Sequence, residues 1–352
     1  YDTFKKTIMQ VFEEIQAFLS QQKTFVCYIK PNETVWNLLS QQNDEIIEFS
    51  NQAGFVFLPF HEDKQVVIPF EDNSFSQGNI EYLEKKSAKN FTSESNQKEA
   101  FENLVSKGVS AIQNNEFQKV VLSRKIVLKE QIAIVETFQN LISTYPTAFR
   151  YIFFHPKIGL WMGATPEQLV KINQNQFETV ALAGTQLYYE NVIWATKEIE
   201  EQQFVTDYII SKVKDKVNNL IVSDVKTVKA GNLAHLKSFI SGELTTDFQA
   251  NDLIKTLHPT PAVCGLPKEK AIDFILKNEG YNRKYYAGFL GEYNKDNQTD
   301  LFVNLRCLEV ENDVVNIYVG CGITKDSNPE KEFIETENKS MTMRNVLVIS
   351  VQ

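Results

Sequence analysis

From Gly320 to Lys339 the chain reads GCGITKDSNPEKEFIETENK, an apolar strand ending on two glycines and then a helix that carries Glu332, Glu335 and Lys339. These positions stand at i, i+3 and i+7, so their side chains share one side of the helix. A solvated face would use the same spacing, with Glu335 and Lys339 as an i,i+4 pair. A second stretch, KEIEEQQFV from Lys197 to Val205, sets Glu198 and Glu201 three apart in the same way. Two such helices face to face could hold a hard divalent cation. Mg²⁺ suits them, because it is bound by one or two carboxylates, water and an anionic substrate. Whether they meet is decided by the fold.

Several elements must position these groups. Ser327 and Glu330 are spaced as a capping box, and Pro329 is tolerated in a first helical turn. Phe4, Ile8, Val11, Phe12, Ile15, Phe18 and Leu19 recur at helical spacing and predict a helix over residues 3–20. TFVCYIK, GFVFLPF and QVVIPF read as strands, and residues 71–98 as a polar connection between an N-terminal α/β portion, 1–96, and a catalytic part of the same body, 97–352. Helices over 100–113 and 196–219 are predicted. Strands are predicted at KVVLSRKIVL, FRYIFFH, IGLWMGA, YYAGFLGEYN, DLFVNLRCLEV and VVNIYVGCGI, and VKINQNQFETVAL reads as a hairpin. Helices fall between groups of strands, which favours an α+β fold with antiparallel sheets.

The 352 residues carry a formal net charge of −9 with a pI near 5.2, which disfavours a nucleic-acid surface. Cys27, Cys264, Cys307 and Cys321 have no metal or disulfide spacing. Reduced thiols in the cytoplasm are expected, and no apolar run reaches the length of a membrane span.

The segments KVVLSR (119–124), GATPEQL (163–169), LAGT (182–185), KEIEEQQFV (197–205), HLKSFISGEL (235–244), HPTPAVCG (258–265), YYAGFLGEY (285–293), the Arg306 strand and the 320–339 stretch occur in this order. Together they resemble the chorismate-utilising enzymes, which include isochorismate, salicylate, anthranilate and aminodeoxychorismate synthases. The resemblance covers about residues 97–348. It implies two stacked, largely antiparallel sheets, helices outside, and an active site in the cleft between.

Lys119 stands where the water-using members carry lysine and anthranilate synthases usually carry glutamine. Ala183 and Ala262 likewise point away from the amine branch, so the resemblance is closest to isochorismate synthase, an isomerase. It implies Lys119 as general base, Glu167 as general acid, and Mg²⁺ held by Glu201 and Glu335 with Glu332 and Glu198 as outer partners. Gly184, Thr185, His235, Ala262, Tyr286, Arg306, Gly320, Gly322 and Lys339 would line the substrate site. One departure is Gln202, where the family commonly has histidine. The expected partner is a small molecule, chorismate, with no glutaminase, nucleic acid or membrane, and the expected state is a monomer. A menaquinone pathway is the first expectation. Alternatives are a siderophore pathway, salicylate synthase, or a non-catalytic chorismate-binding relative. An ordinary lysine is almost wholly protonated at neutral pH, so a lysine base calls for burial or a neighbouring cation. Glu167, read as a helix-start residue, calls for an opposing upward shift.

Overall fold

The computed structural model describes residues 7–71, 73–80, 83–88, 95–230, 233–311 and 314–350. Its helices are α1 (Ile8–Ser20), α2 (Ser95–Gln113), α3 (Ile134–Thr144), α4 (Thr196–Val213), α5 (Ala250–Leu257), α6 (Lys268–Asn278) and α7 (Pro329–Arg344). The N-terminal strands are β1 (Phe25–Ile29), β2 (Val35–Ser40), β3 (Gly54–Leu58), β4 (Val66–Pro69) and β5 (Ser74–Asn79). Then come β6 (Lys119–Leu128), β7 (Phe149–His155), β8 (Gly159–Thr165), β9 (Gln168–Asn173), β10 (Gln176–Leu187), β11 (Asn218–Val222), β12 (Lys226–Ala230) and β13 (Leu233–Glu243). The last are β14 (Gly265–Leu266), β15 (Phe289–Lys295), β16 (Gln298–Val303), β17 (Cys307–Glu311) and β18 (Val314–Ile323).

Among the described residues two nine-stranded sheets result. The first runs β14-β6-β18-β17-β8-β7-β1-β2-β5; the second runs β11-β13-β10-β9-β16-β15-β3-β4, with β12 also on β13. The α+β expectation holds. Side chains alternate across a strand, so each element divides between two cores. In β1, Val26 and Tyr28 face the second sheet, whereas Phe25, Cys27 and Ile29 pack with Val11, Phe12 and Ile15 of α1 and Phe138 and Leu141 of α3. Burial on both faces explains why this strand reads as a continuous apolar run rather than an alternating one. Aromatic rings join the sheets: Phe149 stacks on Phe302 at 4.4 Å, and Phe57 lies 4.6 Å from Phe153.

Several boundaries differ from the sequence reading. The first helix begins at Ile8, where Thr7 and Gln10 form a capping box; residues 1–6 lie outside the described set. Within the polar 71–98 stretch, Ser74–Asn79 pairs with β2 as an edge strand, and α2 begins at Ser95. The helix predicted over 196–219 stops at Val213, and its tail becomes β11. The last helix is capped by Asn328, whose side chain accepts from the Lys331 N–H, while Ser327 instead accepts from the Thr324 N–H. The largest difference is DLFVNLRCLEV, expected as one strand. It is two, β16 in the second sheet and β17 in the first.

Phe57 is fully buried, and Tyr285 stacks on it at 4.3 Å. Phe57→Ala should therefore lower the unfolding free energy by about 3–5 kcal/mol. Phe239→Ser, on the exposed face of β13, should change it by less than about 0.5 kcal/mol. Equilibrium denaturation of the two variants checks both values.

Candidate active site

The chain passes between the sheets twice at one place. It leaves β8 for β9 through Pro166 and Glu167, and it leaves β16 for β17 through Asn304, Leu305 and Arg306. The two passages are stitched together. The Val303 N–H donates to the Glu167 carbonyl at 2.9 Å, the Thr165 hydroxyl to the Val303 carbonyl at 2.6 Å, and the Ala164 N–H to the Arg306 carbonyl at 3.1 Å. Asn304, fully buried, donates to the Tyr285 carbonyl and accepts from the Tyr151 hydroxyl. Glu167 and Arg306 are thus presented to one cleft from adjacent crossovers.

Neither residue sits where the sequence reading put it. Glu167 lies between strands and not at a helix start. Burial pushes that carboxyl up to about 7, against the downward pull of Lys119, Arg306 and Lys339. Near neutral pH a substantial share is protonated and can donate. Arg306 is not inside a strand; its φ of 50° places it in the left-handed region at the turn between sheets. Among the described residues its guanidinium makes no hydrogen bond or ion pair, which leaves the planar fork available for a carboxylate.

β6 alternates in the same sense as the rest of its sheet. Val120 and Leu122 pack against α2 at Gly108, while Val121 faces the cleft and Lys119 shares its side. Lys119 is fully enclosed, not the solvated strand-edge residue its position alone implies. Its ammonium lies 2.8 Å from Glu201 of α4, a cleft residue. The close approach is permitted by Gly322, where a Cβ would stand 2.3 Å from Glu201 Oε1 and 3.1 Å from Lys119 Cε. Burial raises the Glu201 carboxyl, but Lys119, then Lys197 and Lys339, outweigh it and hold the group down at about 2.

The facing helices repeat this arrangement. Lys197 of α4 reaches Glu332 of α7 at 2.5 Å, and Lys339 binds Glu335 at 2.7 Å and the Gly320 carbonyl at 3.0 Å. Burial and the neighbouring Glu335 push the Glu332 carboxyl up. Lys197 opens the KEIEEQQFV stretch, yet nothing in the spacing reveals that it pairs with the other helix. Glu335 and Lys339 line the cleft; Glu332 is buried behind them, and Glu198 is half-buried with its backbone against Gly184. Among the described residues no three of these carboxylates stand together as a ready coordination set. The donors are nonetheless all hard carboxylate oxygens, so the chemistry fits Mg²⁺.

The remaining predicted residues converge. Gly184, Thr185, His235, Ala262, Tyr286, Gly320 and Gly322 all line the cleft. The β6–β18 register is unbroken past both Gly320 and Gly322, and the irregularity falls instead at Gly184, between Ala183 and Thr185 of β10. His235 is buried, and desolvation, followed by Arg306 and Lys339, lowers its pKa to about 3, so the ring is neutral. Its Nδ1 lies 3.2 Å from the Gly184 carbonyl, which can only accept. The Thr185 hydroxyl, which can donate or accept, lies 3.1 Å from the same nitrogen, and Nε2 has no partner among the described residues. His258, by contrast, is a core residue bonded to the Pro59 carbonyl. Gln202 is buried and donates to Thr206 and Ser238, tying α4 to β13 rather than pointing to the carboxylates.

Residues 61–348 match the family described as chorismate binding enzyme. Isochorismate synthase DhbC of Bacillus subtilis is 29% identical over 70% of this chain and 67% of its own length. Anthranilate synthase component 1 of Archaeoglobus fulgidus is also 29% identical, over 69% of this chain and 61% of its own length. The matched region thus spans about three-fifths to two-thirds of these relatives. Among solved structures, the menaquinone-specific isochorismate synthase MenF of Escherichia coli superposes with a TM-score of 0.78 at 19% identity, over 92% of this chain and 88% of that one. Anthranilate synthase component I of Streptococcus pneumoniae gives 0.68 at 18% identity, over 91% and 92%. The chain belongs to the chorismate-binding enzyme family.

Proposed function

We propose that the protein is an isochorismate synthase, an isomerase that moves the ring hydroxyl of chorismate from C4 to C2 with Mg²⁺, acts without a glutaminase, and feeds menaquinone synthesis. One juxtaposition carries the reading. An enclosed lysine, Lys119, stands against Glu201 in the wall of the cleft that Glu167, a carboxyl held near neutrality, lines, together with the guanidinium of Arg306, unpaired among the described residues. In the proposed reaction Lys119 takes a proton from water as its oxygen bonds to C2. The ring double bonds shift, the C4–O bond breaks, and Glu167 delivers the proton that lets the oxygen leave as water. Arg306 clamps a substrate carboxylate, and His235 Nε2 hydrogen-bonds a substrate hydroxyl. Mg²⁺ on Glu201 and Glu335 would supply positive charge for a second substrate carboxylate and compete with Lys119 for Glu201.

Anthranilate synthases match at the same identity, which keeps an ammonia-using reaction as the second reading. The side chain at 119 favours water, since a lysine can act as its base. Purified protein, chorismate and Mg²⁺, followed by chromatography, decide the matter. Isochorismate is the expected product. Anthranilate formed on adding ammonia, or salicylate with pyruvate, would replace the proposal.

Lys119→Ala should reduce turnover by about 10²–10⁴-fold while Mg²⁺ binding, followed by calorimetry, persists. Near-normal turnover would remove Lys119 as the base. Chelation of Mg²⁺ should abolish turnover, and its return restore it.

Glu167 supplies a pH test. Its carboxyl stands above the ordinary value of 4.5, so between that value and about 7 the folded protein retains a proton that the unfolded chain has released. Stability from this group is complete below pH 4.5 and is lost as pH rises through 7. Glu167→Gln should therefore gain melting temperature relative to the parent between pH 5 and pH 7.5, while losing about 10²–10⁴-fold in kcat. The parent's kcat should fall above pH 7. A melting-temperature difference independent of pH would contradict the assignment.

A further inference from the structure

Lys119 stands at the end of its strand ladder. The β18 ladder ends at Ile323 opposite Val120, one residue short of Lys119, and the strand on the other side, β14, is two residues long. A fork of side-chain bonds reinforces this corner. Arg283 donates from Nη2 to the Val121 carbonyl at 2.7 Å and from Nη1 to the Val263 carbonyl at 2.9 Å. It thereby clips β6 to the segment that enters β14. Glu279 holds the guanidinium bidentately, at 2.8 Å from Nε and 2.5 Å from Nη2, and the same carboxylate accepts the Ser123 N–H at 2.7 Å and the Ser123 hydroxyl at 3.0 Å. Both side chains are almost wholly enclosed, at 2% and 1% exposure.

The fork grips residues on either side of the cleft wall. Val121 and Val263 line the cleft, and the Arg283 carbonyl accepts from the N–H of Tyr286, a third lining residue. Gly265 lets the clipped segment lie flush on the base's own backbone: a Cβ there would stand 2.3 Å from the Lys119 carbonyl and 2.9 Å from Val120 Cα. The Val121 N–H donates to the Cys264 carbonyl at 2.7 Å, and the Gln118 N–H to the Leu266 carbonyl at 2.7 Å. Outside the short ladder, the Glu279–Arg283 pair is thus the main side-chain tie between the two segments that fix where Lys119 begins.

We propose that Glu279 and Arg283 form a positioning unit for Lys119, setting the placement of the base without touching substrate. The assignment rests on the reading of Lys119 as base. Arg283→Lys keeps a cation but cannot span Val121, Val263 and Glu279 together, because an ammonium lacks the planar fork. With chorismate and Mg²⁺, kcat for Arg283→Lys should fall by about 10–100-fold with KM within about 2-fold, the pattern of a displaced catalytic group. Chorismate affinity measured on Lys119→Ala should be the same with and without Arg283→Lys. A kcat within about 2-fold of the parent, or a loss of affinity as large as the loss of kcat, would overturn the proposal. Where Arg283→Lys does not fold, Glu279→Gln takes its place with the same readouts. The product identifies a separate failure: if the parent forms anthranilate or salicylate, the functional reading falls, and the unit is still judged on chorismate consumption. If the parent consumes no chorismate, hydrogen exchange judges it. Exchange over 118–124 and 262–266 should quicken about 10-fold in Arg283→Lys while α7 is unchanged, and equal exchange would overturn it.

Discussion

The molecule depends on two strands changing sheets side by side. At Pro166–Glu167 and again at Asn304–Arg306 the backbone leaves one hydrogen-bonded ladder before joining the other, and polar backbone groups stranded in an interior must find partners. They find each other, through the Val303, Thr165 and Ala164 bonds, with the Asn304 side chain completing the seam. Because side chains at such a passage belong to neither sheet face, they can project into the gap between the sheets. An acid and a guanidinium are delivered to one cleft by the same construction that joins the two halves of the fold.

Charge is the second organising feature. Glu201, Glu332 and Glu335 are each matched by a lysine, at 2.8, 2.5 and 2.7 Å, and the pairs link β6, α4 and α7. Buried ion pairs contribute little net stability once desolvation is counted, yet removing one member is costly. Such pairs keep an acidic cleft balanced.

Two buried carboxylates in this cleft end in opposite states. Glu201 is pulled down to about 2 because Lys119 touches it, whereas Glu167 rises to about 7 because the same lysine reaches it only at a distance that burial outweighs. The contrast comes from placement, as both are glutamates enclosed in one protein. It separates an anion suited to holding cations from an acid suited to giving a proton.

The local patterns were legible in the chain itself. Apolar runs fix β6 and β18, helical spacing places Glu332, Glu335 and Lys339 on one side of α7, and the ordered motifs point to the residues that line the cleft. Periodicity does not mark where a strand changes sheets, because DLFVNLRCLEV stays apolar on both sides of Arg306 and the left-handed turn there is made by arginine instead of glycine. Glu167 reads as a helix start for a similar reason: a proline followed by a carboxylate has the same composition in a crossover. The pairing of Lys197 with Glu332, and of Arg283 with two carbonyls from separate segments, has no linear trace at all. Residue types and short spacings determined which chemistry the chain could supply. Only the packed sheets decided which lysine meets which carboxylate and which carboxyl keeps its proton, because those outcomes depend on burial and on distances between residues far apart in sequence.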